Sequence, residues 1–281
     1  MTVPTRTARG KQNSPSTEPF FLEGGPVGCL LLHGFTSTPF EMRYVGERLH
    51  AAGHTVSAVR LAGHATSVEE LEACSWQDWY RSAEEGLVAV ARRCSSVLVV
   101  GSSVGGLLGL RLAHAHHGTV GALALLGPPL VLRRPWPPLA VSWANPLLSW
   151  LPSRLRFVAK SGSDIADPQA RRLHPGYRAM PLRSVAEVVA LQGEVRSLLA
   201  AVKQPTLAIQ ARQDHTVDLQ TLAVLQSEMP NLWGTVILPN SFHVVAVDLE
   251  RERVAQEIIR FVDQVLEMPN RLKAGRKKPR P

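Results

Sequence analysis

Gly101-Ser102-Ser103-Val104-Gly105 is the stretch of this chain best built for covalent chemistry, because it sets a hydroxyl between two glycines at Gly-x-Ser-x-Gly spacing. A strand that ends in so tight a turn lifts one side chain clear of the backbone. Glycine two residues before and two after removes the Cβ atoms that would collide in the bend. Register decides which serine is presented. Ser103 has Gly101 and Gly105 at the required offsets, whereas Ser102 would need glycine at Val100 and Val104. Ser103 is therefore the candidate nucleophile and Ser102 a neighbour. The five-residue pattern alone arises by chance roughly one time in ten in a chain of this length, so its flanks carry the weight. Apolar Val97–Val100 precedes it, and Leu107, Leu108, Leu110 and Leu112 follow at spacings that a buried helix uses.

A serine hydroxyl is a poor nucleophile at neutral pH and needs a base, which in turn needs an orienting acid. After an elbow of this kind the partners follow in the order acid, then histidine. The apolar run Leu207–Gln210 ends in Ala211-Arg212-Gln213-Asp214-His215, and Val236–Leu238 ends in Pro239-Asn240-Ser241-Phe242-His243. Both segments leave a strand end, so Asp214 and His243 are the candidate acid and base. Asp218 sits where the next helix begins and reads as an N-cap. Asp167 has no strand to hold it. His215 adjoins the acid in sequence and reads as a loop cover. His33 and His64 precede the serine and read as braces for the loops they sit in. The histidines at 114, 116 and 117 lack accompanying cysteine or carboxylate and read as a solvated helix end, not a metal site. The developing oxyanion needs backbone donors. Val104 N–H, at a helix N-terminus, and Phe35 N–H, in the loop His33-Gly34-Phe35-Thr36-Ser37-Thr38-Pro39, are the expected pair.

These groups must be held by alternating elements. Phe20–Leu22 and Cys29–Leu32 read as strands, Phe40–Ala52 as a helix, His54–Leu61 as a strand and Trp76–Arg93 as a helix. Val97–Val100, Val104–His117 and Val120–Leu126 then read as strand, helix and strand. Near-continuous apolar strands between helices predict an α/β fold with a mostly parallel central sheet covered on both faces. The alternation breaks between residues 131 and 203, which are rich in Pro, Trp and Arg, and resumes with strand 205–210, helix Leu219–Met229, strand Trp233–Leu238 and helix Leu249–Leu266. The expected organisation is a core of residues 18–130 and 204–267, a cap insertion at 131–203 over the strands' C-terminal edge, and tails at 1–17 and 268–281.

Composition narrows the class. The 281 residues are 45% hydrophobic and 19% charged, ordinary for a globular protein. No apolar run reaches the roughly 18 to 20 residues needed to span a bilayer, and residues 1–17 show no apolar signal-peptide core. Cys29, Cys74 and Cys94 lack metal spacing and read as reduced thiols, so a cytoplasmic location is expected. The formal charge is +8, yet residues 1–17 and 268–281 together hold nine Lys/Arg and no Asp/Glu. Residues 131–203 hold eleven basic and four acidic residues, and the rest of the chain is net acidic. The basic C-terminal tail reads as solvated, and no specific nucleic-acid partner is expected. Trp136, Trp143 and Trp150 in the cap could rest on a lipid–water interface or roof the protein's own pocket. The residues carry no signal for oligomeric state.

At these positions the chain resembles the small bacterial carboxylesterases and monoacylglycerol lipases of the α/β-hydrolase fold, over roughly residues 18–267. The likeness rests on Leu31-Leu32-His33-Gly34-Phe35-Thr36, Arg60-Leu61-Ala62-Gly63-His64, Trp76-Gln77-Asp78-Trp79 and the elbow. It continues with Gly162-Ser163-Asp164-Ile165-Ala166-Asp167-Pro168, Asp214-His215 and Asn240-Ser241-Phe242-His243. The resemblance implies a small cap over the site and hydrolysis of short- to medium-chain acyl esters or monoacylglycerols without a cofactor. It matches Ser103, Asp214 and His243 to the triad, and Phe35 and Val104 to the oxyanion positions. Ser102 and Val104 stand where Leu and Met are common, Ser37 where Gly is frequent, and Ala65 replaces a usual Gly. Arg133 to Arg156 match least. Peptidase, thioesterase and lactonase chemistry run on the same triad, and a non-catalytic binding protein would lack one of its members.

Overall fold

The structure, a computed structural model, describes residues 16–134, 136–148, 152 and 155–267. The expected tails therefore fall almost wholly outside the described residues, as does Trp150. Seven strands form one sheet: β1 (Phe20–Leu22), β2 (Gly25–Leu32), β3 (His54–Val59), β4 (Ser96–Ser102), β5 (Val120–Leu126), β8 (Thr206–Ala211) and β9 (Leu232–Leu238). Their spatial order is β1-β3-β2-β4-β5-β8-β9, and every neighbouring pair is parallel except β1 with β3. The turn at Gly24-Gly25 does not make a hairpin, because β2 is already flanked by β3 and β4 and leaves β1 the outer edge of β3.

Side-chain alternation divides the core into two layers, as a period of two requires. Val97 and Val99 of β4 point to the layer of Trp79, Leu107 and Leu110, while Leu98 and Val100 point to that of Met42, Ile258 and Phe261. Helices α1 (Phe40–Ala51) and α9 (Arg251–Val262) cover the second face. The first is covered by α2 (Val68–Ala73), α3 (Trp76–Ala91), α4 (Val104–Ala115) and α8 (Gln220–Glu228). A capping box starts α3, with Asp78 accepting from the Ser75 backbone N–H at 2.9 Å. That helix buries Trp79, Ala83, Gly86, Leu87 and Val90, the stripe its sequence spacing predicts. Helix α4 is buried on nearly every side, so each of its buried leucines contributes about 1.5–3 kcal/mol and an alanine there leaves a cavity.

Between β5 and β8 lie α5 (Trp136–Leu148), β6 (Phe157–Ala159), α6 (Pro168–Leu173), β7 (Ala179–Pro181) and α7 (Leu182–Leu198). Strands β6 and β7 form a separate antiparallel pair. Leu191 and Val195 of α7 join the same apolar layer as Leu107 and Leu112, which anchors this inserted stretch to the main core. Trp143 on α5 is 80% exposed; the side chain of Trp136 lies outside the described residues.

The turn from β4 into α4 is closed by steric necessity. A Cβ on Gly101 would collide with the Gly105 carbonyl, and one on Gly105 with the carbonyl oxygens of Leu32 and His33. The exit loop of β2 therefore rests directly on the first turn of α4. Gly105→Ala should lower stability by about 1–3 kcal/mol or more, measured as a drop in urea midpoint. An unchanged midpoint would mean the two backbones are not in forced contact.

Candidate active site

The elbow places Ser103 at φ +51°, ψ −117°, a region that side chains other than glycine rarely adopt. Such a conformation costs about 1–3 kcal/mol and persists only where the surroundings impose it. Here Ser103 N–H donates to the Leu126 carbonyl at 2.8 Å, and Gly106 N–H donates to the Ser103 carbonyl at 2.8 Å.

Two loops leaving β8 and β9 bring the partners over. Asp214 is 1% exposed and its Oδ1 accepts from the backbone N–H groups of Thr216 and Val217 at 2.8 and 2.7 Å. Its Oδ2 lies 2.8 Å from His243 Nδ1, and His243 Nε2 lies 2.9 Å from Ser103 Oγ. The arrangement is self-consistent when Nδ1–H donates to Asp214 and the Ser103 hydroxyl donates to Nε2. Three side chains distant in sequence thus form one hydrogen-bonded chain. Gly127, at φ +54°, lies directly against this pair, and a Cβ there would sit 3.4 Å from the His243 ring.

The histidine loop is fixed by Asp248, a buried carboxylate that accepts from Phe242 N–H at 2.7 Å and from Ala166 and Asp167 N–H at 2.9 and 2.8 Å. It ties the inserted stretch to the histidine. It also accepts from the neighbouring Leu249 N–H at 2.8 Å; its link to Ala166 and Asp167, some eighty residues away, arises only in the fold.

Phe35 and Val104 line the same cavity of about 300 Å³ as Ser103 and His243. As the first residue of α4, Val104 has an N–H with no intrahelical acceptor by position. The Phe35 ring packs against Trp79 and His64, so it both lines the cavity and supports its floor. His33 braces this loop: its Nδ1 lies 2.9 Å from the Gly34 carbonyl, and its Nε2 accepts from Leu61 N–H. His64 Nδ1 lies 3.0 Å from the Ala62 carbonyl, within its own turn.

The competing residues do other work. His215 is exposed and pairs with Asp164 at 2.7 Å, covering the loop as expected. Asp218 accepts from Gln220 N–H at the start of α8, and Asp167 caps α6. Contrary to the reading that no carboxylate accompanies the helix-end histidines, Glu84 of α3 reaches His116 at 2.7 Å across the helix packing, and no cluster suited to a metal occurs among the described residues.

One group near the site went unread in the sequence. Glu41, 2% exposed, lies against Gly34 and lines the cavity. Burial pushes its carboxyl up, but hydrogen bonding and charge from His174, with the hydroxyls of Ser102 and Ser37, outweigh it and hold it down at about 2. The serines that depart from the family pattern at 37 and 102 are the ones that face this carboxylate.

The pattern of the family described as serine aminopeptidase S33 matches residues 28–250. The chain belongs to that family. It is 31% identical over 245 residues to a thermostable monoacylglycerol lipase of Bacillus sp. (strain H-257), covering 87% of this chain and 93% of that one. It is 24% identical to a carboxylesterase of Bacillus subtilis (strain 168), over 88% and 97% of the two chains. Among solved structures it is similar to one reported for the metagenome-derived lipolytic enzymes LipS and LipT, with TM-score 0.80, 26% identity and coverage of 90% and 100%. The monoacylglycerol lipase of Paleococcus ferrophilus shares the fold at TM-score 0.72 and 14% identity, over 87% of this chain and 97% of that one. The architecture is the α/β-hydrolase fold.

Electrostatics separates the buried histidines. Burial lowers His243, but the charge and hydrogen bond of Asp214 more than reverse this and raise it above 6.5. Burial also opposes ionisation of Asp214, and His243 with the two backbone donors overcomes it and lowers the carboxyl. Burial pulls His33 down, and with His33 beside it takes His64 to about 3. NMR titration should show His243 protonating above 6.5 while His33 and His64 stay neutral below it. A His243 midpoint below 6.5 would contradict the coupling to Asp214.

Proposed function

We propose that this protein hydrolyses carboxylic esters through an acyl-enzyme, with Ser103 as nucleophile, His243 as general base and acid, and Asp214 as the group that orients the imidazole. The carrying observation is the continuous chain of contacts at 2.9 and 2.8 Å from Ser103 to His243 to Asp214. Its setting at the C-terminal edge of a parallel sheet, and the likeness to enzymes named as lipases and esterases, support the same reading.

In the reaction, Ser103 Oγ attacks the ester carbonyl as its proton passes to His243 Nε2. Phe35 and Val104 N–H donate to the carbonyl oxygen as it becomes an oxyanion, each donor being worth about 3 kcal/mol. The imidazolium, held by Asp214, returns the proton to the departing alcohol oxygen. Water then attacks the acyl-enzyme, giving its proton to His243, and Ser103 leaves with that proton restored. The net change is ester plus water to acid plus alcohol.

Leu132, Met180, Val188 and Val244 supply apolar wall to the cavity, and we read that wall as the seat of short- to medium-chain acyl groups such as those of monoacylglycerols. We read residues 131–203 as the cap that sets this shape, and exposed Trp143 as its contact with a lipid–water interface. Three free thiols support a reducing, cytoplasmic setting, and no described helix is long and apolar enough to cross a membrane.

Ser103→Ala should lower p-nitrophenyl ester turnover on the order of a millionfold with the fold intact, and Asp214→Asn by about ten-thousandfold in kcat. Turnover retained by Ser103→Ala would remove the serine from its role. Because neutral His243 is the base and its midpoint is raised above 6.5, activity should fall as pH drops through that raised value. An acid limb below pH 6 would contradict a base coupled to Asp214.

A further inference from the structure

Beside the catalytic cavity lies a second one of about 500 Å³, lined by Lys160, Arg171, Arg172 and Arg178 with no carboxylate among the described residues of its wall. The two cavities share Lys160, Gly162, Ser163 and His174. The polar end of the catalytic cavity, where Thr36, Ser37 and His174 sit, thus leads towards four cationic side chains. None of the arginines 171, 172 and 178 forms an ion pair within the described residues, in contrast to most other arginines of the core.

The chamber is built on a fixed frame. Lys160 Nζ donates to Thr36 Oγ1 at 2.6 Å, and Thr36 holds φ +60° in the oxyanion loop. Tyr177 N–H donates to the Thr36 carbonyl at 2.8 Å, and Lys160 N–H to the Arg178 carbonyl at 2.8 Å. Tyr177 Oη donates to the Gly63 carbonyl at 2.9 Å. His174 is fixed on both ring nitrogens, by Ser163 at 2.8 Å and Ser37 at 3.1 Å. The nearest carboxylates are accounted for: Glu41 is buried against His174, and Asp164 pairs with His215. Arg171, Arg172 and Arg178 are exposed around the half-buried Lys160; like charges gathered in a concave wall focus potential on an anion, and the arginine fork matches phosphate and carboxylate geometry.

We propose that this chamber is the subsite for the alcohol half of the substrate, and that this half carries an anionic group, a phosphate or a carboxylate a few bonds from the ester oxygen. The inference rests on the reading of Ser103 as an ester nucleophile. An acyl chain in the apolar end directs the alcohol towards His174 and Lys160, where the anion meets the arginines.

The test compares kcat/KM for three monomeric substrates with one acyl chain: 1-octanoylglycerol 3-phosphate, the octanoyl ester of glycolate and neutral 1-octanoylglycerol. One or both anionic esters should exceed the neutral one by about tenfold or more, and which does so names the anion. The double variant Arg172→Ala/Arg178→Ala should bring that ratio close to one, and Arg172→Lys/Arg178→Lys should restore part of it. Glycerol 3-phosphate should also inhibit hydrolysis of the neutral ester competitively, at concentrations where glycerol does not. Neutral ester cleaved as well as or better than both anionic ones overturns this inference alone. So does a preference that survives loss of both arginines. No turnover of any ester overturns the parent reading and this inference together.

Discussion

Everything at this site depends on one strained turn. Ser103 occupies a backbone region that disfavours its own side chain, and it is kept there because the chain on either side has no room to relax. Gly101 packs on Gly105, Gly105 on the carbonyls of Leu32 and His33, and Gly34 on the Ser103 side chain. These contacts fix the nucleophile and the loop carrying Phe35 relative to each other. The same absence of Cβ atoms that permits the turn thus brings the Ser103 side chain and the Gly34–Phe35 backbone close together. A buried leucine-rich helix behind the turn and a parallel sheet in front provide the rigidity that holds the strain in place.

Electrostatic organisation follows from that frame. Asp214 and His243 each gain by ionising in the presence of the other, which offsets the cost of burying them. On the opposite side of the serine, Glu41 is kept ionised by His174 and two hydroxyls. The site therefore holds two buried acid–histidine pairs, one in contact with Ser103 and one beside the Gly34 loop. Lys160 extends the second pair towards the basic chamber, and burial lowers its ammonium despite the nearby Glu41 charge.

Much of this was legible in the sequence because the informative residues are local. The elbow announces itself through glycine spacing, and Asp214 and His243 each follow an apolar run that could only be a strand end. The Asp218 contact at the start of α8, the stripe on α3 and the loop roles of His33, His64 and His215 are likewise properties of short segments. The parts that could not be read are those created by long-range packing. Asp248 collects donors from residues 166 and 167, and Glu41 meets His174 across more than a hundred residues of chain. Ser37 and Ser102 stood out only as departures from a family pattern, and their common partner emerges from the fold. Gly127, at φ +54° against His243 and Asp214, likewise gains its role only from packing.

The most direct test of the account is covalent. A fluorophosphonate that forms a stable adduct with activated serine hydroxyls should add one phosphonyl group per chain, and peptide mass spectrometry should place it on Ser103. Labelling should vanish in His243→Ala although Ser103 remains. An adduct on any other residue, or one on Ser103 formed equally fast without His243, would show that the hydrogen-bonded chain does not activate this serine.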